Sequence, residues 1–260
     1  MDFLEKIVEH KKSEIRDLYQ NFGIDYFKDK IAASRLKSIS FLEAFQKRQG
    51  LKLLAEVKKA SPSKGIIRSD FQPLGLAEAF ATAGATALSV LTERDFFLGD
   101  PAFITKIKAN VSLPILRKDF IIDPIQIYEA KAIGADAILL IKAILDLKTC
   151  QNLINTALSL GLEVLLEIHS FLEFAAIKEL RGLNFVGINN RDLKNFEINK
   201  DFALELAPAV KDFFGPETLV IAESGYSTIA DLENLAKLNI DGVLIGEGLA
   251  KEPKMLQWFK

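Results

Sequence analysis

From Leu51 onward the chain repeats one unit eight times, a short apolar run that ends in polar side chains and is followed by a segment of helical period. The runs are LKLLAEV from Leu51, ATALSVL from Ala85, PILRKDF from Pro114, ADAILLI from Ala135, LEVLLEI from Leu162, NFVGIN from Asn184, TLVIAES from Thr218 and DGVLIGE from Asp241. Their starts lie on average roughly 27 residues apart, the length of a strand, a helix and two turns. Apolar runs separated by helices form a parallel sheet buried on both faces, and eight right-handed crossovers close it into a barrel. The expected fold is therefore α/β, a single (β/α)8 TIM barrel, with an open doubly wound sheet as the alternative.

Gly84, Gly134, Gly161 and Gly182 stand just before strand runs, where left-handed helix C-caps belong. About fifty residues precede the first run, with helical periodicity in Phe3-Ile7-Val8, Ile15-Leu18-Tyr19 and, after a Ser40 N-cap, Phe41-Leu42-Phe45. No Gly/Ser or Pro-rich linker interrupts the chain. One domain over 1–260 is expected, made of an N-terminal helical extension (1–50), covering the N-terminal region of the barrel, and the barrel itself (51–260).

Composition excludes several function classes. With 33 Lys+Arg against 35 Asp+Glu there is no basic field for nucleic acid or anionic membrane, so neither is an expected partner. The N-terminus mixes charges at once, and no run reaches the ~18 apolar residues of a membrane span. Cys150 is the only cysteine, and His10 and His169 are far apart, so no disulfide and no metal site is expected. The cytoplasm fits this composition.

Strand after strand ends in charged or amide residues: Glu56 and Lys58, Glu93, Lys118, Lys142, Glu167 and His169, Asn189 with Arg191, Glu223 with Ser224, and Gly246 with Glu247. In a barrel these share the C-terminal rim, the face that carries catalytic sites. Alternation puts Leu54, Glu56 and Lys58 on one face, which places a carboxylate and an ammonium at the mouth, within reach of Glu167. Ionisable groups pointing inward have perturbed proton affinities, as general acid–base chemistry requires, although structural ion pairs have them too. ESGY from Glu223 and GEGLA from Gly246 follow the last two strands, where such barrels bind phosphate on bare amides; Glu247 should then point away. Ser61-Pro62-Ser63-Lys64-Gly65 reads as a basic lid loop, and Phe96, Phe97 and Phe120 as either an aromatic clamp or core. No GxSxG or HExxH occurs, and the late GEG is no dinucleotide fingerprint.

With these residues in place, the chain resembles the indole-3-glycerol-phosphate synthase family of tryptophan biosynthesis. The resemblance runs through AEVKKASPSKG, LSVLTE, LRKDFIID, GADAILLI, LLEIH, GINNRDL, AESG and LIGEGL, which span Ala55 to Leu249 in family order. It implies an enzyme without cofactor or metal that converts 1-(2-carboxyphenylamino)-1-deoxyribulose 5-phosphate to indole-3-glycerol phosphate, carbon dioxide and water. By the same resemblance Lys118 is the general acid, Glu167 the base of the later steps, and Glu56 and Lys58 serve the dehydration. Asn189 completes the catalytic set, and with Arg191 it orients substrate and stabilises the site's carboxylates. Ser61 matches the residue near the anthranilate carboxylate, and Phe97, Phe120 and Leu139 match the pocket for its ring. Ser224, Gly225, Gly246 and Glu247 align with the phosphate cradle. Tyr226 departs from an expected aliphatic residue, and Glu247 takes a position that is serine in some members. The family is sometimes fused to a second barrel, phosphoribosylanthranilate isomerase; here a monofunctional chain is expected, with other enzymes of the pathway as possible partners.

Three other readings compete. A phosphoribosylanthranilate isomerase would need a Cys/Asp pair, yet Cys150 falls within a helical segment. A Schiff-base aldolase would use Lys118 or Lys58 as nucleophile and be trapped by borohydride. A catalytically dead barrel would bind glycerol phosphate analogues without turnover.

Overall fold

Eight parallel strands close on themselves in the computed structural model, which describes residues 3–47, 49–193, 196–238 and 240–259. The strands are Lys52–Val57, Ala87–Leu91, Ile115–Lys118, Ala137–Ile141, Glu163–Ile168, Phe185–Asn189, Leu219–Glu223 and Gly242–Ile245, each inside one of the eight runs. Leu54 is in register with Ala87 of the second strand and with Leu244 of the eighth, so the first strand closes the barrel and an open sheet is excluded.

Helices between the strands bury the outer face of the sheet. The four glycines before strand runs all have positive φ, Gly84 91°, Gly134 97°, Gly161 65° and Gly182 81°, the conformation that a left-handed C-cap requires. Helix starts are fixed by side chains of matching chemistry. Ser40 Oγ accepts from Glu43 N at 3.1 Å, Asp100 Oδ1 from Ala102 N at 2.8 Å, and Asp123 Oδ1 from Ile125 N at 2.9 Å.

Inside the barrel, Leu54, Ala87, Leu116, Ala137, Leu165, Phe185, Leu219, Ile221 and Leu244 pack as one apolar cluster. Its floor is closed from outside the barrel. Helix α3 (Phe41–Gln46) inserts Phe41 and Phe45, both fully buried, against Phe185, with ring centroids 5.0 and 5.4 Å away. The eighth strand makes room for them by starting at Gly242, where a Cβ would stand 2.8 Å from Phe45 Cε1. Glu163, at the foot of the fifth strand, anchors the same helix by accepting from Phe41 N at 2.6 Å and Ser40 Oγ at 3.0 Å.

Two expectations about connections need correction. Only α3 sits at the N-terminal end of the barrel. Helix α1 (Phe3–Asn21) lies along the opposite end, with Phe3 lining the central cavity and the Tyr19 hydroxyl donating to Asp123, the N-cap of the helix after the third strand, at 2.8 Å. Its Lys11, 1% exposed, meets Asp119 at 2.8 Å just beyond the third strand. An apolar-period reading detects the buried stripe of α1 but cannot tell which end of the barrel that stripe covers. The segment from Ser61 is also more ordered than a plain loop, because Ala60–Ser61 and Gly65–Ile66 pair as a short antiparallel hairpin over the mouth.

Truncating a fully buried aromatic leaves a cavity, so Phe45→Ala is expected to destabilise the fold by about 3–5 kcal/mol. Urea unfolding should show a lowered midpoint with an unchanged slope; a wild-type midpoint would mean that the ring does not hold the floor.

Candidate active site

The ionisable residues arise from the same alternation that builds the core. Leu54, Leu116, Leu165 and Ile221 point inward, and two residues further along their strands stand Glu56, Lys118, Glu167 and Glu223. The interior is therefore apolar below and charged at its C-terminal mouth. A cavity of about 240 Å³ opens there, lined by all four of these residues together with Lys58, Asn189 and Arg191.

Lys118 is the centre of the charge arrangement. Its Nζ donates to Glu167 Oε2 and to Glu223 Oε2, both at 2.8 Å, and the carboxylates are 2% and 1% exposed. Burial opposes the ammonium charge, but Glu167 and Glu223 outweigh it and hold Lys118 above the usual lysine range. Glu167 is likewise opposed by burial, yet Lys118 and His169 keep it well below the usual carboxylate range. Glu223 goes the other way. Burial and the Glu167 charge outweigh Lys118 and push it up to about 8, so at neutral pH the two carboxyl groups share a proton beside one lysine.

Two glycines make this packing possible. A Cβ on Gly187 would overlap Glu223 Oε1, and one on Gly246 would overlap Glu56 Oε2. Glu56 is also paired with Lys58. On the far wall Asn189 accepts from Arg191 N at 3.0 Å through its Oδ1.

The remaining residues singled out in the sequence separate into two groups. Ser61 on the hairpin, Phe97, Phe120, Leu139, Ser224, Gly225, Gly246 and Glu247 all line the cavity, and the Phe97 and Phe120 rings lie 6.1 Å apart. Glu93, Lys142 and Phe96 do not. Glu93 is fully buried and caps its own loop, accepting from Phe96 N at 2.8 Å and Phe97 N at 2.9 Å. Lys142 donates to Leu145 O at 2.7 Å, and Phe96 packs on Phe3 at 5.5 Å. Among the described residues Arg191 makes no ion pair with the site's carboxylates; its guanidinium donates to Phe196 O at 3.4 Å. The carboxylate-stabilising part of its expected role is therefore corrected, since Lys118 fills that place.

The loop after the seventh strand turns through two consecutive positive φ angles, 67° at Ser224 and 93° at Gly225. Asn190 holds it there, donating through Nδ2 to Ser224 O at 3.0 Å and to the Tyr226 hydroxyl at 2.8 Å. Tyr226 thus has a partner that an aliphatic residue could not engage. Gly248 admits the neighbouring loop, because a Cβ would overlap Tyr226 O. Glu247 turns its carboxylate to Lys251 Nζ at 2.7 Å.

Sequence reasoning placed Glu223 on the rim without a role, and passed over Phe3, Asn190 and the Lys11–Asp119 pair. Gly187 was the available signal for Glu223, since glycine inside a strand marks a close approach. Asp119 also receives Arg117 at 3.1 Å, and Arg117 meets Glu129 at 2.7 Å, so the residues either side of Lys118 are fixed in a buried ionic network. Burial opposes the Asp119 charge, but Lys11 and Arg117 keep it far below the usual carboxylate range. Cys150 lies fully buried in helix α7 (Leu147–Ser159), outside the cavity, its thiol pushed up to about 11 by burial. The isomerase reading loses its acid–base cysteine.

Comparisons with known proteins bear on the fold and on the family. Among solved structures, the tryptophan synthase alpha subunit of Legionella pneumophila superposes with a TM-score of 0.59 at 13% identity, covering 83% of this chain and 89% of that one. Tryptophan synthase of Pyrococcus furiosus superposes with a TM-score of 0.55 at 17% identity, over 80% of this chain and 94% of that one. These likenesses speak for the barrel fold alone. An indole-3-glycerol phosphate synthase of Chlorobium luteolum is 41% identical, over 99% of this chain and 97% of its own length. One of Carboxydothermus hydrogenoformans is also 41% identical, over 96% of each. The family model described as indole-3-glycerol phosphate synthase matches residues 4–259, and with these relatives it shows that the chain belongs to the indole-3-glycerol phosphate synthase family.

Proposed function

We propose that the chain closes the indole ring of 1-(2-carboxyphenylamino)-1-deoxyribulose 5-phosphate, releasing carbon dioxide, water and indole-3-glycerol phosphate. The observation that carries this reading is the Lys118 ammonium set between Glu167 and Glu223 at the mouth of an apolar barrel. Ring closure requires a proton on the ribulose carbonyl as the aromatic carbon attacks it. Lys118 is charged and directed into the cavity, which suits it to be that acid.

The anthranilate ring fits against Phe97, Phe120 and Leu139, with Ser61 of the hairpin near its carboxylate. An apolar wall disfavours the carboxylate more than neutral carbon dioxide, so this packing promotes decarboxylation. Dehydration then removes a proton from the methylene carbon beside the nitrogen and expels the hydroxyl. Glu167, ionised and next to Lys118, is the base in this reading, and Lys58 paired with Glu56 assists departure of the hydroxyl. Asn189 and Arg191 orient the sugar from the sixth strand. Glu223, with a proton to donate near neutral pH, binds sugar hydroxyls while keeping Lys118 in place.

The phosphate is read into the loops after the last two strands, around Ser224, Gly225, Gly246 and Glu247. Backbone amides serve there because Lys251 engages the Glu247 carboxylate. No helix among the described residues is long and apolar enough to cross a membrane. We place the chain in the cytoplasm, in keeping with a single buried free thiol.

Mixing the purified protein with the carboxyphenylamino substrate, without added metal or cofactor, should produce indole fluorescence. Lys118→Ala and Glu167→Ala should each lower kcat by about 10²- to 10⁴-fold with the fold retained by circular dichroism. Wild-type turnover in either variant would remove it from its role, and a borohydride-trapped adduct would replace acid catalysis with a Schiff base. Glu223 loses its proton as pH rises through about 8, which adds negative charge beside an anionic substrate. KM should therefore climb between pH 7 and 9 in the wild type and stay flatter in Glu223→Gln; parallel profiles would refute the Glu223 assignment.

A further inference from the structure

The proposed reaction, balanced over its ionised species, takes up one proton per turnover. Two protons go onto the departing oxygen, one on the carbonyl at ring closure and one on the hydroxyl as it leaves as water. Only one returns, from the methylene carbon. The carboxylate leaves as carbon dioxide and carries none. The acid must be reloaded from solvent, yet the mouth through which Lys118 faces solvent is filled while substrate is bound.

A second route leads behind the cavity. His169 follows the fifth strand and does not line the cavity. Its Nε2 stands 3.0 Å from Glu167 Oε1, and Glu167 Oε2 is the oxygen that accepts from Lys118 at 2.8 Å. On the ring's other side, Nδ1 stands 3.6 Å from Glu173 Oε2. Glu173 lies on helix α8 (Phe171–Ile177), is 20% exposed, and is held by accepting from His169 N at 2.9 Å. The path Glu173, His169, Glu167, Lys118 thus runs from the surface to the proposed acid.

We propose, resting on the function above, that His169 is a proton reservoir that reloads Lys118 through Glu167 and refills from solvent at Glu173. After ring closure the imidazolium gives its Nε2 proton to the Glu167 carboxylate at Oε1, the carboxyl group turns to hand that proton to neutral Lys118, and Glu167 ends as the carboxylate it was; Lys118 then gives the second proton to the departing hydroxyl beside the Lys58–Glu56 pair and recovers the methylene proton from Glu167. Both ring nitrogens are buried, and neither is aligned in a hydrogen bond. To reload, the ring turns about its Cβ–Cγ bond, takes a proton on the Glu173 side and returns. Glu167 from its own strand and Glu173 from α8 are the charged groups that face it, with Glu223 next along behind Glu167. Burial disfavours the imidazolium, but these two carboxylates raise it to about 9, so it is loaded at neutral pH. Lys118 holds its proton above the usual lysine range, so transfer from His169 to a spent Lys118 is downhill.

The test uses single-turnover indole formation by wild-type, His169→Ala, His169→Asn and Glu173→Gln protein with the carboxyphenylamino substrate, with and without added imidazole. His169→Ala should slow indole formation roughly tenfold or more with little change in KM. Added imidazole should restore its rate in proportion to concentration and leave the wild type unaffected. Glu173→Gln should lower steady-state kcat without raising KM, and it carries the test alone if both His169 variants fail to fold. Wild-type rates in His169→Asn and Glu173→Gln would overturn the proposal, as would a loss in folded His169→Ala that imidazole does not relieve. A wild-type protein without turnover would instead overturn the function on which the proposal rests.

Discussion

A lysine ammonium buried in the mouth of an apolar barrel cannot persist without compensation. Lys118 is 15% exposed and meets two carboxyl groups at 2.8 Å, and each of those would be as costly alone. Three ionisable groups for one net pairing leave a proton to be shared. Burial raises both carboxyl groups and Lys118 lowers both; Lys118 with His169 wins at Glu167, whereas burial and the Glu167 charge win at Glu223 and push it up to about 8. A site built this way holds a charged acid, an ionised base and a neutral hydrogen-bond donor within one hydrogen-bonded cluster, which is the condition for multistep acid–base chemistry at one pH.

Much of the surrounding structure holds that cluster in place. Below it, the apolar layers exclude water, and the floor is sealed by Phe41 and Phe45 from a helix that precedes the barrel in the chain. Beside it, Arg117 and Asp119 flank Lys118 and face the opposite way, into contacts with Glu129 and Lys11. The third strand is thereby clamped between helix α1 and the outer wall, with its one inward lysine aimed at the cavity. The N-terminal extension belongs to the site as well as to the fold, because it supplies Lys11 to this clamp and Phe3 to the cavity wall.

The repeat of eight apolar runs was readable because a strand buried on both faces must be apolar throughout, and helix C-caps need the glycines that stand before several of them. The rim was readable for the complementary reason. A core strand that ends in Glu, Lys or Asn violates its own pattern, as Glu56, Lys118, Glu167 and Asn189 do. What that pattern could not do was sort the rim. Glu93 and Lys142 end strands in the same way as Lys118, but their side chains close loops by bonding to backbone. Arg191 looked suited to pair with carboxylates and instead reaches a carbonyl.

The sequence by itself determined the eight strand runs and the ionisable residues that end them, because alternation along a strand is a local property that a one-dimensional pattern records, while the roles of acid and base came from the family resemblance. Tertiary structure decided which charges touch. The pairing of Lys118 with Glu223, 105 residues apart in the chain, depends on barrel closure, stagger and a glycine on the intervening strand. The placement of Lys11 against Asp119 depends on which end of the barrel an amphipathic helix covers. Proton affinities in the site follow from those contacts and from burial, and neither is defined until the chain has closed on itself.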